Sequence, residues 1–333
     1  MKMINLKMLG KNVVVFGGTG FVGRGVVNEL SKQGYHVKVA VRRLERHRDF
    51  LLFPKTQLVE LKELTSENIA NLIEDADIVF NLYADMTAQS ENMPLEEMVE
   101  ATKTIKNAID ASNVQRFLSL SQLDAMANDD SNEYSSVLGR MDELVMTIKK
   151  AGVTIAKPSM LIGVGDQTTA IISKQMKIQP FLLAIVNPDT EVQPLAIKDF
   201  SKAFVSTLKD DSTLGKKLIF AGDSRLSIKD LAKMIKEMMG VKPAFIFSVR
   251  GFRERFHVRL GRLSLFKSIS ENFVVTLKKD LVTEEKFADN FGFNPASLEQ
   301  TLIAYVVDPS MRERYNYFRK DAGRNVEDLA YKR

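Results

Sequence analysis

Three glycines at three-residue spacing, Gly17, Gly20 and Gly23, stand in the run Gly17-Gly-Thr-Gly-Phe-Val-Gly23. A GxxGxxG turn lets bare main-chain amides approach a pyrophosphate, because no Cβ blocks them and the N-terminus of the next helix attracts negative charge. Tight turns also select glycine, so the motif gains meaning only from its flanks. On one side Asn12 to Phe16 reads NVVVF, a β-branched apolar run fit for a fully buried parallel strand. On the other, Phe21 to Gln33 carries Val22, Val26, Val27 and Leu30 at helical spacing and stops at Gly34. Strand, glycine turn and helix are the setting in which this spacing binds a dinucleotide.

The end of the second strand bears on which dinucleotide. A site for NAD places a carboxylate there for the ribose 2′-hydroxyl, whereas this chain has Ala40, Val41, Arg42 and Arg43. Two guanidiniums favour a 2′-phosphate, and with it NADP(H) over NAD(H). Arg24 is placed to join them, although Arg46 and Arg48 make the whole region basic and solvated arginines are the plainer alternative.

These residues need a scaffold, and the rest of the chain supplies its pattern. His36 to Val41 and Gln57 to Leu61 read as strands, Asn68 to Glu74 as a short helix and Ala76 to Leu82 as a fourth strand. A helix over Glu96 to Ala111 leads to a strand at Arg116 to Leu120. A helix through Met141, Leu144, Val145 and Ile148, ending at Gly152, leads to a strand at Val153 to Ala156. Six strands alternating with helices predict an α/β protein with a Rossmann-type doubly wound parallel sheet. After Pro158 the rhythm loosens, which predicts a smaller mixed C-terminal region. Phe200 to Leu208 reads as a helix there, Leu218 to Phe220 as a possible strand, and Ile228 to Met239 as an amphipathic helix capped by Gly240. The divisions expected are 1–160 for the dinucleotide-binding domain, 161–247 for a smaller lobe of the same unit, and 248–333 for a basic extension.

Composition narrows the chemistry. The 333 residues hold 47 Lys and Arg against 42 Asp and Glu, a formal charge of +5, too mild for a dedicated nucleic-acid binder. No cysteine occurs, which removes thiolate nucleophiles, Cys-ligated zinc and disulfides within the chain. The three histidines, His36, His47 and His257, are scattered, so neither a histidine metal site nor a Ser-His-Asp hydrolase is expected. The longest apolar run, Pro180 to Pro188, is far short of a membrane span. Met1 to Lys11 has neither a signal peptide's hydrophobic region nor a transit peptide's composition.

With these residues in view, the chain resembles the short-chain dehydrogenase/reductase superfamily. More narrowly it is similar to the atypical branch containing the dehydrogenase-like accessory subunit of respiratory complex I and its bacterial relatives. The matching pieces are Val15-Phe-Gly-Gly-Thr-Gly-Phe-Val-Gly-Arg24, Asp77-Ile-Val-Phe-Asn-Leu82, Arg116-Phe-Leu-Ser-Leu-Ser121, Lys157-Pro-Ser159, Gln193-Pro-Leu-Ala-Ile-Lys-Asp199 and Phe291-Gly-Phe-Asn-Pro-Ala-Ser-Leu298. The resemblance implies that Thr19, Phe21 and Val22 line the pyrophosphate, that Asn81 and Tyr83 flank the ribose and nicotinamide, and that Lys157 borders the nicotinamide. It also implies an Asp after the third strand for the adenine amine. Lys62 stands there and cannot accept that hydrogen bond, leaving Glu60 or Glu63 as substitutes.

Reduction in this superfamily uses a Tyr with a Lys four residues on, whose ammonium lowers the phenol's pKa. Tyr134 is the candidate tyrosine, but Leu138 stands where the lysine belongs. Arg140, six residues on, points elsewhere around the helix. Lys157 offers a narrow substitute, and Ser121 or Ser119 a substrate-orienting serine. Catalysis through Tyr134, Lys157 and Ser121 is therefore the weaker expectation.

Ser248 to Lys267 alternates arginines with Phe252, Phe256, Leu260 and Leu263. Such a segment suits an anionic membrane or a partner protein through Arg250, Arg253, Arg255, Arg259 and Arg262, or simply packs on its own domain. The expectation is an NAD(P)(H)-binding accessory subunit of a respiratory or membrane-associated complex with little or no catalysis. It would lie on the cytoplasmic or matrix side, soluble or peripheral to the inner membrane. The alternative is an active oxidoreductase, epimerase or dehydratase acting on a small hydroxy or keto compound, in quinone or nucleotide-sugar metabolism.

Overall fold

The computed structural model describes residues 9–85, 93–166, 168–178, 182–240, 245–249 and 279–307. The N-terminal half alternates strand and helix: β1 (Asn12–Phe16), α1 (Phe21–Lys32), β2 (His36–Val41), β3 (Thr56–Glu60), α2 (Ser66–Ile73), β4 (Ile78–Asn81), α3 (Leu95–Ala111), β5 (Arg116–Leu120), α4 (Glu133–Met146) and β6 (Gly152–Pro158). A 3₁₀ segment, Leu44–Leu52, links β2 to β3. The second half holds β7 (Met160–Ile162), α5 (Thr169–Ile178), β8 (Leu182–Val186), β9 (Glu191–Val192), β10 (Pro194–Ala196), α6 (Ile197–Ser206), β11 (Lys216–Phe220), β12 (Leu226–Ser227), α7 (Ile228–Met239), β13 (Phe245–Val249), α8 (Phe287–Phe291) and α9 (Leu298–Val306).

Seven parallel strands form the main sheet in the order β11-β6-β5-β4-β1-β2-β3. Strand β1 pairs with β2 on one side and β4 on the other, so the chain reverses its direction of winding there. A doubly wound sheet opens a crevice at such a reversal, outside the carboxyl ends of the strands. Three small two-stranded sheets, β10-β7, β12-β9 and β13-β8, accompany the second half.

The run NVVVF forms a strand because both faces of the sheet are covered. Val13 and Val15 enter one core with Val26, Val27 and Leu30 of α1 and Phe200 and Phe204 of α6. Val14 and Phe16 enter the opposite core with Ile69, Ile73, Ile105, Ile109 and Val145. Each such side chain, fully buried, contributes about 1.5–3 kcal/mol. A third core joins Ile162, Met176, Val192, Leu231, Ile235, Leu302 and Val306 in the second half.

Several boundaries differ from the sequence reading for local reasons. The sheet has seven strands rather than six because Lys216–Phe220 pairs in register with β6. Helix α2 starts at Ser66, not Asn68, since the Thr65 side chain caps it by accepting from the Asn68 amide at 3.2 Å. Helix α4 ends at Met146, well before Gly152. The apolar stretch Ile178 to Val186 contributes the end of α5 and strand β8, and β8 pairs with β13, so the boundary expected near Ser248 falls inside a strand. Arg250, Arg253, Arg255, Arg259 and Arg262 lie outside the described residues. Among the described residues no helix is long and apolar enough to cross a membrane, and no cluster of acidic or histidine side chains is arranged to hold a metal ion.

Candidate functional site

The glycine loop sits at the carboxyl end of β1, where the β1–β4 pairing sets Phe16 beside Asn81. Gly17 has φ +70°, and a Cβ on it would lie 2.7 Å from the Leu82 carbonyl carbon, so only glycine fits the turn beside β4. Gly23 allows α1 to pack on the loop, since its Cβ would meet the Gly18 carbonyl at 2.4 Å. Gly20 is the N-cap of α1 and has no side chain to cap the helix, which leaves the first-turn amides open to an outside acceptor.

That acceptor is Asp85. Its Oδ2 accepts from the Val22 amide at 2.7 Å and the Gly23 amide at 3.3 Å. Its own amide donates to the Leu82 carbonyl at 2.9 Å, so the carboxylate is delivered by a short turn after β4. A Cβ on Gly20 would stand 2.2 Å from Asp85 Oδ2, which shows how closely the loop and the carboxylate approach. The seat meant for an oxyanion therefore holds one, and a dinucleotide's pyrophosphate fits it in kind.

A cleft beside the loop is lined by Gly17 and Thr19, by Ala40, Val41 and Arg42, by Leu61 and Leu64, and by Leu82, Tyr83 and Asp85. Arg42 thus lines the cleft, and Arg43, also exposed, precedes the 3₁₀ segment as its N-cap. Arg24 is engaged elsewhere: it pairs with Asp49 and lies 4.7 Å over the Phe50 ring. This guanidinium holds the Asp49 carboxyl below its ordinary range. Lys62 pairs with Glu60 at 3.4 Å on the surface beside β3. Asn81 is fully buried. Its Nδ2 donates to Thr102 Oγ1 at 3.2 Å and its Oδ1 accepts from the Tyr83 amide at 3.3 Å, so it builds the turn after β4. Burial raises the Tyr83 phenol above its ordinary pKa. Among the pyrophosphate candidates, Val22 is buried while Thr19 and Phe21 are half-buried at the loop.

Tyr134 is 3% exposed and its hydroxyl donates to the Ala84 carbonyl at 2.7 Å. Burial pushes this phenol well above its ordinary pKa, and the carboxylates of Asp85 and Asp124 push it further. Leu138 is fully buried in the core with Val137 and Met141. Lys157 reaches another group of residues: its Nζ donates to the Ala125 carbonyl at 3.0 Å and stands 3.9 Å from Asp142. Burial lowers the Lys157 ammonium's pKa against the pull of Asp142. Burial likewise raises Asp142 against the pull of Ser121, Lys157 and Lys217. Ser121 is buried just past β5, its amide bonded to the Ala156 carbonyl at 2.8 Å. Sequence reasoning passed over Asp85, Asp124 and Asp142. The available signal for Asp85 was an acidic residue four positions past Asn81, in the turn after the strand neighbouring the glycine loop.

Comparison with known proteins bears on the fold and on the stretch that holds the glycine loop. The profile of a family described as NAD(P)H-binding matches residues 17–177. Subunit 9 of the NADH dehydrogenase [ubiquinone] 1 alpha subcomplex, mitochondrial, from Arabidopsis thaliana is 28% identical over 240 residues, 70% of this chain and 59% of that protein. The Mus musculus protein of the same name is 27% identical over 236 residues, covering 68% and 60%. The chain thus spans about three-fifths of the length of these relatives. Among solved structures, dTDP-glucose 4,6-dehydratase from Bacillus anthracis in complex with NAD has a TM-score of 0.69 at 14% identity, covering 92% of this chain and 98% of its own. UDP-glucose 4-epimerase from Thermotoga maritima has a TM-score of 0.67 at 16% identity, covering 91% and 99%. The likeness to these two enzymes is one of fold. Taken together, residues 17–177 match an NAD(P)H-binding family, and the chain is similar in sequence to subunit 9 of the NADH dehydrogenase alpha subcomplex.

Proposed function

We propose that this NAD(P)-binding chain holds NADP(H) as a structural or sensing ligand and serves, without appreciable turnover, as an accessory subunit of a respiratory or membrane-associated complex. The observation that carries the reading is the state of Tyr134. Its hydroxyl is buried and committed to the Ala84 carbonyl, with Leu138 where the activating ammonium belongs. A phenol whose neighbouring charges are carboxylates is a poor proton shuttle at neutral pH. A bound reduced nicotinamide supplies a hydride, but using it on a carbonyl needs a proton donor at the developing oxyanion. This chain's tyrosine is held in its neutral form by burial and by the Asp85 and Asp124 carboxylates, and its proton is committed to the Ala84 carbonyl. The residues that hold the cofactor are the Val22 and Gly23 amides and the glycine loop for the pyrophosphate, and Arg42 with Arg43 for the 2′-phosphate.

Association with a complex rests on relatives that are named as complex I subunits, and it implies a peripheral position on the matrix or cytoplasmic side of the inner membrane. Mass spectrometry of small molecules released from the native protein, followed by turnover assays with carbonyls and quinones, tests the reading. Retained NADPH without oxidation supports it; turnover that Tyr134→Phe abolishes refutes it in favour of an active enzyme. Replacing Arg42 and Arg43 by Ala should weaken NADPH by roughly tenfold to hundredfold, from the loss of charge-assisted bonds, and leave NADH nearly unchanged. Equal losses for both would remove the arginines from the 2′-phosphate. Co-migration of the chain with NADH dehydrogenase on native gels of membranes from its own source tests the association.

A further inference from the structure

We propose that Asp85 is a built-in competitor for the cofactor's pyrophosphate, a carboxylate that caps the glycine loop until a dinucleotide displaces it, and that Tyr134 is the latch holding it there. The proposal rests on the NAD(P)(H) reading above and adds a mechanism of access to the site. Asp85 accepts from the Val22 and Gly23 amides, the donors of the first turn of α1. Because Oδ2 takes both donors, at 2.7 and 3.3 Å, a phosphate oxygen cannot occupy the same place while Asp85 keeps it. Two anions also cannot share one helix N-terminus without repulsion.

The carboxylate is positioned from behind. Its amide is bonded to the Leu82 carbonyl, and the carbonyl of the preceding residue, Ala84, accepts the Tyr134 hydroxyl at 2.7 Å. The Tyr134 bond, at the start of α4, thereby fixes the peptide plane between Ala84 and Asp85 from which the carboxylate projects. A phenol that serves as a latch needs to stay protonated, which fits a tyrosine without a lysine partner. Tyr134 acts here through Ala84 and Asp85, as a positioning residue.

The test uses the full chain as wild type, Asp85→Ala, Asp85→Asn and Tyr134→Phe. NADPH affinity is measured by titration, and thermal stabilisation is measured with inorganic pyrophosphate alone. Asp85→Ala should lower the melting temperature of the free chain, since α1 loses its cap. It should nevertheless bind NADPH roughly tenfold to hundredfold more tightly, the scale of hydrogen bonds to a charged group. Asp85→Asn should fall between, and Tyr134→Phe should tighten NADPH by about threefold, on the scale of one neutral hydrogen bond. Pyrophosphate should stabilise Asp85→Ala more than wild type. A merely structural Asp85 predicts lower stability with unchanged or weaker binding of both ligands, and that result overturns the proposal. If pyrophosphate stabilises Asp85→Ala selectively but no form binds a dinucleotide, the competitor role stands and the cofactor reading fails. If wild type binds NADPH and no variant binds it more tightly, the cofactor reading stands and the competitor role fails.

Discussion

At the scale of single residues, the site is decided by what surrounds each functional group. Leu138 occupies the position where the superfamily's lysine would activate the tyrosine, and it is fully buried against Val137 and Met141. Restoring the lysine is therefore not a route to activity. Leu138→Lys should lower unfolding stability by about 3 kcal/mol or more, because it buries an ammonium among apolar side chains. Urea denaturation measures the loss, and a variant as stable as wild type that newly reduces carbonyls would show the position to be catalytically permissive. The sequence shows that Leu138 is wrong for catalysis, because spacing along one helix is local information. It does not show Asp85 in the anion seat. That contact joins residues more than sixty positions apart and depends on the pairing of β1 with β4. The same holds for Arg116, which the linear pattern shows only as the first residue of a strand. It is fully buried, donates to Thr207 and Gly152 carbonyls at 2.8 and 3.2 Å, and has its pKa lowered by burial to about 10.

At the scale of elements, legibility follows how local the stabilising interactions are. Helix Ile228–Met239 coincides with the sequence reading because both ends are written nearby: Ser227 caps it by accepting from the Asp230 amide, and Gly240 closes it at φ +64°. By contrast β8 and β13 pair across about sixty residues, so neither announces itself as a strand. Lys279, on the segment that precedes α8, is another distant partner. It bonds Asp129 at 2.5 Å, and Asp129 also accepts from the Ser131 hydroxyl at 2.6 Å, ahead of α4. These bonds, the Lys279 ammonium first, hold the Asp129 carboxyl below its ordinary value of 3.8. The unfolded chain then binds this proton more readily than the folded one. The stabilisation is present above about pH 4 and is lost as pH falls towards the depressed folded value. Melting curves across pH should show wild type above Asp129→Asn at pH 7, with the gap closing below about pH 4. A gap that persists unchanged into acid would mean that the pair contributes no linked protonation.

At the scale of the whole molecule, the question is whether the second half holds the glycine loop in place or merely adjoins it. One of its cores, with Met176 of α5, Leu231 and Ile235 of α7, and Leu302 and Val306 of α9, is separate from the two that sandwich the main sheet, whereas Phe200 and Phe204 of α6 belong to the latter. Among the contacts that connect them is one at the loop itself: a Cβ on Gly163 would lie 2.7 Å from Ile197 and 3.4 Å from the Phe21 ring, so the turn after β7 packs against the start of α1. Asp166 fixes that turn locally. It accepts from the Gly163 amide at 3.0 Å and from the Thr168 and Thr169 amides at 2.8 and 2.6 Å, while the Tyr305 hydroxyl of α9 adds a bond at 3.0 Å. Because most of these bonds come from within the turn, weakening α9 should leave the turn and the glycine loop intact. Leu302→Ala, at a fully buried position, should reduce stability by about 3 kcal/mol, from lost burial and the cavity left behind. The affinity of the folded variant for NADPH should be unchanged. Urea midpoints and NADPH titrations on the same samples give both quantities. Were affinity to fall in step with stability, the second half would be part of the cofactor site, and α9 rather than Asp166 would set the position of the turn against Phe21.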